Sequence, residues 1–235
     1  MRITHSARRI NAITDKFVKS TYLEIGVHEG ITFLGVDADR KVAVDPYFRF
    51  DTFAHGKDGK NDFFECTSDY FFSDIQKKID ITPDVIFLDG MHTFQQTLRD
   101  LLNCLAITHS ESVIIVDDVF PVDVYSSLPS SADAHRFRAR AGGDSLAWHG
   151  DVYKVVMFVH DFIPSLSYCT ISSGGNPQTV LWKEPRMDFE PVFRSIEEVE
   201  RMNFFDLLKQ ENLLNSVSEQ EGLSRVFEFL SSSED

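Results

Sequence analysis

Four short apolar runs, rich in β-branched residues, each end at an acidic or glycine residue, and this recurrence constrains the fold more than any other feature. The runs read TYLEI, KVAV, DVIFL and VIIV, at residues 21–25, 41–44, 84–88 and 113–116. Short continuous apolar runs are typical of strands that are buried on both faces, as in a parallel sheet. We therefore predict four parallel strands at the centre of an α/β domain.

Helical spacing between and after these strands supports the same architecture. Residues 93–109 carry apolar side chains at steps of three and four, which predicts an amphipathic helix and a right-handed βαβ unit. Residues 152–159 have the same spacing, and we predict a second helix there. Only residues 31–40 separate Gly30 from the next strand, so the first crossover helix must be very short or replaced by a loop.

The C-terminal third predicts two further structural features. Residues 166–171 and 179–183 flank a Ser-Gly-Gly-Asn turn, which predicts a β-hairpin. The following segment is acidic and has helical spacing. We expect a core domain at residues 1–185 and a helical extension at 186–235, packed on the core or on a second subunit, with the end at Ser231–Asp235 disordered.

Composition excludes several classes of protein. The chain has 235 residues, 43% of them apolar, which suits one α/β domain, and no apolar run is long enough to span a bilayer. Three cysteines without a C-x-x-C pair argue against disulfides or a zinc site, and together with the lack of a secretory signal they favour the cytoplasm.

A net charge of −14 argues against a nucleic-acid partner, because phosphates would be repelled. The best local basic cluster is short and consists of Arg136, Arg138 and Arg140. A small-molecule acceptor is the more plausible substrate.

Acidic residues follow each of the four predicted strands. They are Glu24, Asp45, Asp89 and the pair Asp117-Asp118. Ligands of open α/β sheets bind in the crevice at the carboxyl ends of the strands, so these carboxylates should converge on one site.

The loop Glu24–Gly30 lacks the G-x-G-x-x-G pattern of dinucleotide-binding sites. Its acidic character suits S-adenosylmethionine, which has no phosphate and carries a sulfonium and an ammonium. Asp45 can accept both hydroxyls of a ribose, although an Asp before a proline is also a common turn residue.

Asp89, Asp117 and Asp118 would repel one another unless a positive group lay between them. A divalent cation such as Mg²⁺ suits three carboxylates, and it would lower the pKa of an acceptor hydroxyl. His92, three residues after Asp89, could then remove the hydroxyl proton. The alternatives are a solvated strand end for the Asp pair and a helix-start capping role for His92.

The strings YLEIGVHEG, KVAVDP, DVIFLDGMHTF and VIIVDD resemble methyltransferase family 24 of the class I methyltransferases, with a weaker echo at WHGDVYKVV. The resemblance implies a Rossmann-like three-layer sandwich, with a mostly parallel seven-stranded sheet that ends in an antiparallel hairpin. It implies that Glu24, Gly26 and Gly30 line the methionine part of the cofactor and that Asp45 holds the ribose. Thr67, Ser68 and Asp69 would lie near the adenine.

Metal-dependent members of this family methylate sugar hydroxyls. By resemblance, Asp89, Asp117 and Asp118 would hold Mg²⁺ or another divalent cation, and His92 would be the base. We therefore expect O-methylation of a sugar, glycoside or related small acceptor. A homodimer is compatible with this expectation. Three alternatives remain: a ligand-binding module without chemistry, a nicotinamide oxidoreductase and a metal-dependent hydrolase.

Overall fold

A computed structural model describes residues 3–57 and 59–232, and within these ranges one sheet contains eight strands. Their bounds are β1 Thr21–Ile25, β2 Arg40–Asp45, β3 Asn61–Glu65, β4 Val85–Leu88, β5 Val113–Val116, β6 Ser167–Ile171, β7 Gln178–Trp182 and β8 Ser216–Val217. The four strands predicted from the apolar runs are β1, β2, β4 and β5, and each is present within one residue of its predicted bounds.

The strand order is β3-β2-β1-β4-β5-β7-β6-β8. Strands β1 to β5 are parallel, β7 runs antiparallel between β5 and β6, and β8 pairs parallel with β6. The order reverses beside β1, because β2 lies on one side of it and β4 on the other. The loops after these three strands therefore diverge and leave a crevice at their carboxyl ends.

Helices cover both faces of the sheet. Their bounds are α1 His5–Thr14, α2 Ile31–Gly35, α3 Thr52–His55, α4 Ser68–Tyr70, α5 Gln76–Ile79, α6 Phe94–Ile107, α7 Ser131–Arg140, α8 Tyr153–Phe162, α9 Ile196–Arg201, α10 Phe204–Lys209 and α11 Glu219–Ser232. A π-helical turn, Phe71–Ile75, connects α4 and α5, and a 3₁₀ turn, Glu211–Leu214, follows α10. The helix predicted over 93–109 is α6, and the Val-rich helix is α8.

Alternation along the strands divides the apolar residues between two cores. On β1, Leu23 and Ile25 face the core under α6 and α8, whereas Tyr22 faces the core under α1 and α11. All three side chains are at most 3% exposed. Burial on both faces of the sheet gives the three-layer sandwich that the resemblance implied.

The sheet has one strand more than the seven expected, because the two-residue strand β8 adds to its far edge. The opposite edge strand, β3, was not apparent from apolar runs because its residues are only half-buried and mix polar with aromatic side chains. The first crossover is the five-residue helix α2, as the short spacing required.

The C-terminal segment packs on the rest of the chain. Strand β8 extends the sheet, and α11 contacts α1, β6 and β7. Ser231 and Ser232 belong to α11, so disorder was wrongly expected for them, and residues 233–235 lie outside the described ranges. The boundary at 185/186 stays a prediction. Over the described residues, every helix is too short or too polar to cross a bilayer.

Candidate functional site

A cavity of 920 Å³ lies at the carboxyl ends of β1, β2 and β4. Most of the predicted site residues line it: Glu24, Gly26, Asp45, Thr67, Ser68, Asp69, Asp89 and His92. The parallel register explains this convergence, because Ile25 pairs with both Val44 and Leu88, and the three strands end at one level. The crevice predicted from the strand ends is therefore present.

Gly26 allows the loops after β1 and β4 to touch. Its backbone has φ +88°, and a Cβ at this position would lie 2.1 Å from the carbonyl oxygen of Asp89. No side chain fits such an approach. Gly30, by contrast, is not among the cavity-lining residues, and a Cβ there would lie 2.7 Å from the ring of Phe50. Gly30 therefore does not line the cavity, so the expected direct contact with the methionine part of the cofactor is not supported.

Glu24 is a buried carboxyl at the base of the cavity. It is 1% exposed and accepts a hydrogen bond from the Tyr22 hydroxyl at 2.5 Å. Burial raises the pKa of Glu24 well above its usual range. A carboxyl that is so poorly solvated gains from a cation placed in the adjoining cavity.

Asp45 holds the loop after β1 as well as lining the cavity. Its Oδ2 accepts hydrogen bonds from the amides of Val27 and His28, both at 2.8 Å, and its Oδ1 accepts one from the amide of Tyr47 at 2.7 Å. A carboxylate oxygen has about two lone-pair positions. Oδ1 therefore keeps one lone-pair position for a ligand hydroxyl, whereas both positions of Oδ2 are occupied. Asp45 can thus accept one ribose hydroxyl and not the two that were expected.

The wall opposite Asp45 is polar. Gln96 on α6 donates to Ser68 Oγ and Asp69 Oδ1, both at 3.2 Å, and to Asp100 Oδ1 at 3.1 Å. Asp100 is 3% exposed, and burial raises its pKa from 3.8 to about 6. Gln96 and Asp100 were missed from the sequence, because an amphipathic helix pattern does not reveal which polar positions face a cavity.

At one end of the cavity, His92 lies between two carboxylates. Its Nε2 is 3.2 Å from Asp89 Oδ1, and its Nδ1 is 2.9 Å from Asp118 Oδ2. One ligand atom from each of these three residues lies within 4.8 Å of the other two. The backbones of His92 and Asp118 have positive φ values of 26° and 58°, a strained conformation that side chains adopt where the surrounding structure enforces it.

The charges at this centre explain the protonation of His92. Burial alone would lower its pKa, but the hydrogen bonds and charges of Asp118 and Asp89 raise the pKa of His92 to about 10. Burial raises the pKa of Asp89, whereas contact with His92 lowers the pKa of Asp118 below its ordinary value despite burial. A protonated imidazole therefore supplies the positive charge that the acidic cluster required.

Asp117 is placed differently from its two predicted partners. Its Oδ1 accepts hydrogen bonds from the Asp118 amide at 2.8 Å and from Asn176 Nδ2 at 2.6 Å. The group of mutually close ligand atoms contains Asp89, His92 and Asp118. The structure thus brings together two of the three predicted metal ligands, Asp89 and Asp118, with His92 in the third position, whereas the Oδ1 of Asp117 is occupied by the Asp118 amide and by Asn176.

The segment Trp148–Asp151 completes the site from a distant part of the sequence. The Trp148 ring stacks on His92 with 5.0 Å between centroids, and a Cβ on Gly150 would lie 1.6 Å from the His92 carbonyl oxygen. Asp151 accepts a hydrogen bond from the first amide of α6, Phe94 N, at 2.8 Å. The echo at WHGDVYKVV was the only sequence signal for these residues.

The arginine cluster of α7 does not form one continuous basic surface, because Arg138 is buried and Arg136 pairs with Asp133 at 2.7 Å. Arg138 is 3% exposed, and its guanidinium binds both oxygens of Asp123 and the carbonyls of Ser145 and Ala147. It therefore stabilises the segment that leads to Trp148 rather than presenting charge to solvent.

The chemistry of the cavity lining favours a cation. Within the part of the chain that the structure describes, its lining includes no lysine or arginine but contains the carboxyl groups of Glu24, Glu29, Asp45, Asp69, Asp89 and Asp100. A pyrophosphate would be repelled, whereas a sulfonium and an ammonium would be attracted. The cavity therefore fits S-adenosylmethionine and not a nicotinamide dinucleotide.

Comparison with known proteins agrees with this chemistry. Residues 23–119 match the family model described as a methyltransferase domain, methyltransferase family 24. No curated protein matches the sequence significantly.

Solved structures share the fold at low sequence identity. Cofactor-bound Rv0187 from MTB is 12% identical over 79% of this chain and 83% of that chain, with a TM-score of 0.54. A candidate caffeoyl-CoA O-methyltransferase from Staphylococcus aureus is 11% identical over 77% and 85%, with a TM-score of 0.50. The plantazolicin methyltransferase BpumL, in complex with a pentazolic analog and SAH, is 15% identical over 76% and 83%, with a TM-score of 0.51.

The matched residues, 23–119, span the strands β1 to β5 and the loops that form most of the cavity. The match identifies a methyltransferase domain over these residues, and with the Rossmann-like sheet and the acidic cavity it supports a class I S-adenosylmethionine-dependent methyltransferase.

Proposed function

We propose that this methyltransferase acts on a hydroxyl oxygen of a sugar, glycoside or related small acceptor, and that a divalent cation at Asp89 and Asp118 assists the reaction. The observation that carries the proposal is the position of His92, which lies between these two carboxylates at the end of the cofactor cavity. A proton acceptor and a charged centre thus meet where an acceptor would approach the methyl group.

Each part of the cofactor can be assigned to its own residues of the cavity. Glu24 and the close turn at Gly26 would hold the cationic methionine part, because the carboxyl is buried and the backbone approaches closely. Asp45 Oδ1 would accept one ribose hydroxyl. Thr67, Ser68 and Asp69 line the wall where the adenine would lie. When bound, the cofactor supplies a methyl group on a positively charged sulfur, which leaves as a neutral thioether.

The donor set also fits a divalent cation. Ligands of one Mg²⁺ lie about 3–4 Å apart at bond lengths near 2.1 Å, so the atoms within 4.8 Å of one another need only a small shift. Over the described residues, the Nδ1 atom of His149 is buried without a hydrogen-bond partner, and its Nε2 lies 3.9 Å from Asp118 Oδ1. The carboxylates of Asp89 and Asp118, with water as the further ligands, would accommodate Mg²⁺ or Mn²⁺ and leave the lone pair of His92 free for a proton. Bound there, a cation would supply charge that favours an ionised acceptor hydroxyl.

His92 needs such a charge to act as a base. With a pKa of about 10 it is protonated at neutral pH, and a protonated ring accepts no proton. The two carboxylates raise this pKa, so a cation that neutralised them would lower it and leave the His92 imidazole neutral. His92 would then take the proton from the acceptor hydroxyl as the carbon–oxygen bond forms.

Met91, Ile31 and Trp148 line the cavity, and they would contact the acceptor. Met91 is 66% exposed and lines the cavity, so an acceptor seated there would cover it. A flat indole beside exposed methionine suits the apolar face of a sugar ring, while its hydroxyls point to His92.

The test uses the full chain with S-adenosylmethionine labelled in its methyl group and panels of glycosides, phenols and amines. Mass spectrometry would identify the methylated acceptor, with Mg²⁺, with Mn²⁺ and with EDTA. We expect transfer to glycoside hydroxyls that EDTA abolishes. Asp118→Asn should lower kcat by about 10²–10³-fold and leave the affinity for the cofactor nearly unchanged.

Exclusive transfer to amines would overturn the assignment of oxygen as the methylated atom. Equal rates in EDTA and in Mg²⁺, with Asp118→Asn fully active, would overturn the role of the cation. Exposed Asp144 provides the control, and Asp144→Asn should leave both kcat and cofactor affinity unchanged.

A further inference from the structure

The turn between β6 and β7 brings Asn176 into contact with the acidic pair. Its Nδ2 lies 2.6 Å from Asp117 Oδ1 and 2.6 Å from Asp118 Oδ1. An amide nitrogen has two hydrogens, and both are donated here to carboxylates. Asn176 is thus a neutral donor that bridges two acidic side chains.

This bridge fixes which oxygen of Asp118 faces the centre. Oδ1 is bound to Asn176, and Oδ2 lies 2.9 Å from His92 Nδ1. Without the amide, the carboxylate could rotate about its side-chain bonds, and repulsion from Asp117 would favour that rotation. The amide therefore selects the orientation in which Asp118 and Asp89 can share a ligand.

A buried arginine holds the turn that carries Asn176. Arg9 on α1 is 0% exposed, and its Nη1 donates to the Asn176 carbonyl at 2.9 Å and to Gln178 Oε1 at 2.7 Å. Its Nη2 donates to the Ser173 carbonyl at 2.7 Å, and its Nε donates to Glu219 on α11 at 2.9 Å. A buried guanidinium is stable only with such a full set of acceptors.

The contacts of Arg9 with the turn are made through main-chain carbonyls of Ser173 and Asn176. The Asn176 side chain is therefore not what holds the turn in place, and its removal should leave the turn intact. Gly175 packs against His5 as a second main-chain anchor, since a Cβ there would lie 2.5 Å from the His5 ring. The only side-chain hydrogen bonds that Asn176 makes over the described residues go to Asp117 and Asp118.

We propose that Asn176 is a positioning residue of the active centre, which orients the Asp118 carboxylate for cation binding while Arg9 and Glu219 fix the turn behind it. This inference rests on the proposed function, because it assumes that Asp118 binds a cation. It gives the N-terminal helix α1 and the C-terminal helix α11 a role in the centre, although neither lines the cavity.

The test is Mn²⁺ binding to the full chain, followed by electron paramagnetic resonance of free Mn²⁺, without cofactor or acceptor. Groups that orient metal ligands typically change metal affinity by about 10–100-fold. We expect Asn176→Ala to weaken Mn²⁺ binding at least about tenfold, with S-adenosylmethionine affinity within about twofold of wild type. Asn212→Ala, the same substitution at an exposed asparagine, should change neither affinity.

A second variant guards against a folding defect. Asn176→Ser keeps a residue that turns favour, but its hydroxyl is too short to bridge both carboxylates. It should fold and lose Mn²⁺ affinity to a similar extent. Glu219→Gln should weaken Mn²⁺ binding less, about twofold to threefold, because it acts only through Arg9.

The outcomes separate the two proposals. If wild-type protein does not bind Mn²⁺, the cation role in the proposed function fails. If wild type binds and both Asn176 variants bind equally well, the cation site stands and the positioning role of Asn176 is overturned. Weaker Mn²⁺ binding with intact cofactor affinity and circular dichroism supports the inference.

Discussion

The Trp148 indole stacks on the His92 imidazole with ring centroids 5.0 Å apart and planes inclined by 25°. The Trp148 Nε1 donates to the carbonyl of Leu128 at 2.7 Å, so the indole is fixed from behind. This pairing limits the rotation of a strained residue, since His92 has φ +26°. A ring held on one face by an indole and at both nitrogens by carboxylates has one orientation available.

Removal of the indole should therefore impair catalysis more than binding. We expect Trp148→Ala to lower kcat about 10–100-fold because His92 loses its fixed orientation, and Trp148→Phe to retain most of the activity. Steady-state kinetics with a saturating cofactor would measure this. An alanine variant with wild-type kcat would show that the stacking does not orient His92.

Gly150 should tolerate no side chain. A Cβ there would lie 1.6 Å from the His92 carbonyl oxygen, so Gly150→Ala must displace either the loop after β4 or its own segment. We expect a loss of more than about 3 kcal/mol in the free energy of unfolding, measured with urea.

Gly142 provides the control for backbone strain. Its φ is +85°, and a Cβ there would meet nothing within 4 Å. Gly142→Ala should cost only about 1 kcal/mol, from the left-handed backbone alone. Equal losses at both positions would mean that strain, and not the contact with His92, determines the result.

Glu24→Gln should weaken cofactor binding. Burial raises the pKa of this carboxyl, and the positive charge of a bound sulfonium or ammonium would favour its ionised form, which glutamine lacks. We expect at least about a tenfold loss of S-adenosylmethionine affinity by calorimetry, which corresponds to about 1.4 kcal/mol, and a smaller loss for the product, whose sulfur is neutral. Glu29→Gln, at an exposed lining position, should change affinity little. Equal losses of affinity in the Glu24 and Glu29 variants would mean that the overall negative charge of the cavity attracts the cofactor, and not a specific contact with Glu24.

Asp100 should make the protein less stable as pH rises. Its folded pKa of about 6 exceeds the ordinary value of 3.8, so between these values the folded state binds more proton than the unfolded state. The penalty is absent below about pH 4 and complete above about pH 7. Asp100→Asn should therefore raise the free energy of unfolding by about 1–3 kcal/mol at pH 8 and by almost nothing at pH 4.

Urea unfolding at several pH values would measure this difference. Exposed Asp144 is the control, and Asp144→Asn should show no gain that grows with pH. A gain for Asp100→Asn that is constant across pH would attribute the effect to packing rather than to ionisation.

The sequence alone determined the sheet centre and the edge at which ligands bind. Buried parallel strands require continuous apolar runs, and the acidic residues after them follow in register, so Glu24, Asp45 and Asp89 could be placed at one cavity before the structure was known. Local signals also predicted α6, the hairpin of β6 and β7, and a first crossover so short that it had to be a very short helix or a loop.

Tertiary structure decided the rest, because those contacts join residues far apart in the chain. The tertiary contacts place His92, and not Asp117, beside Asp89 and Asp118 in the group that was expected to be three aspartates. Trp148 and Asn176 reach this group from 56 and 84 residues beyond His92, across loops whose paths no local pattern fixes. The orientation of a side chain depends on packing against such distant partners, so the periodicity of its own segment does not predict it.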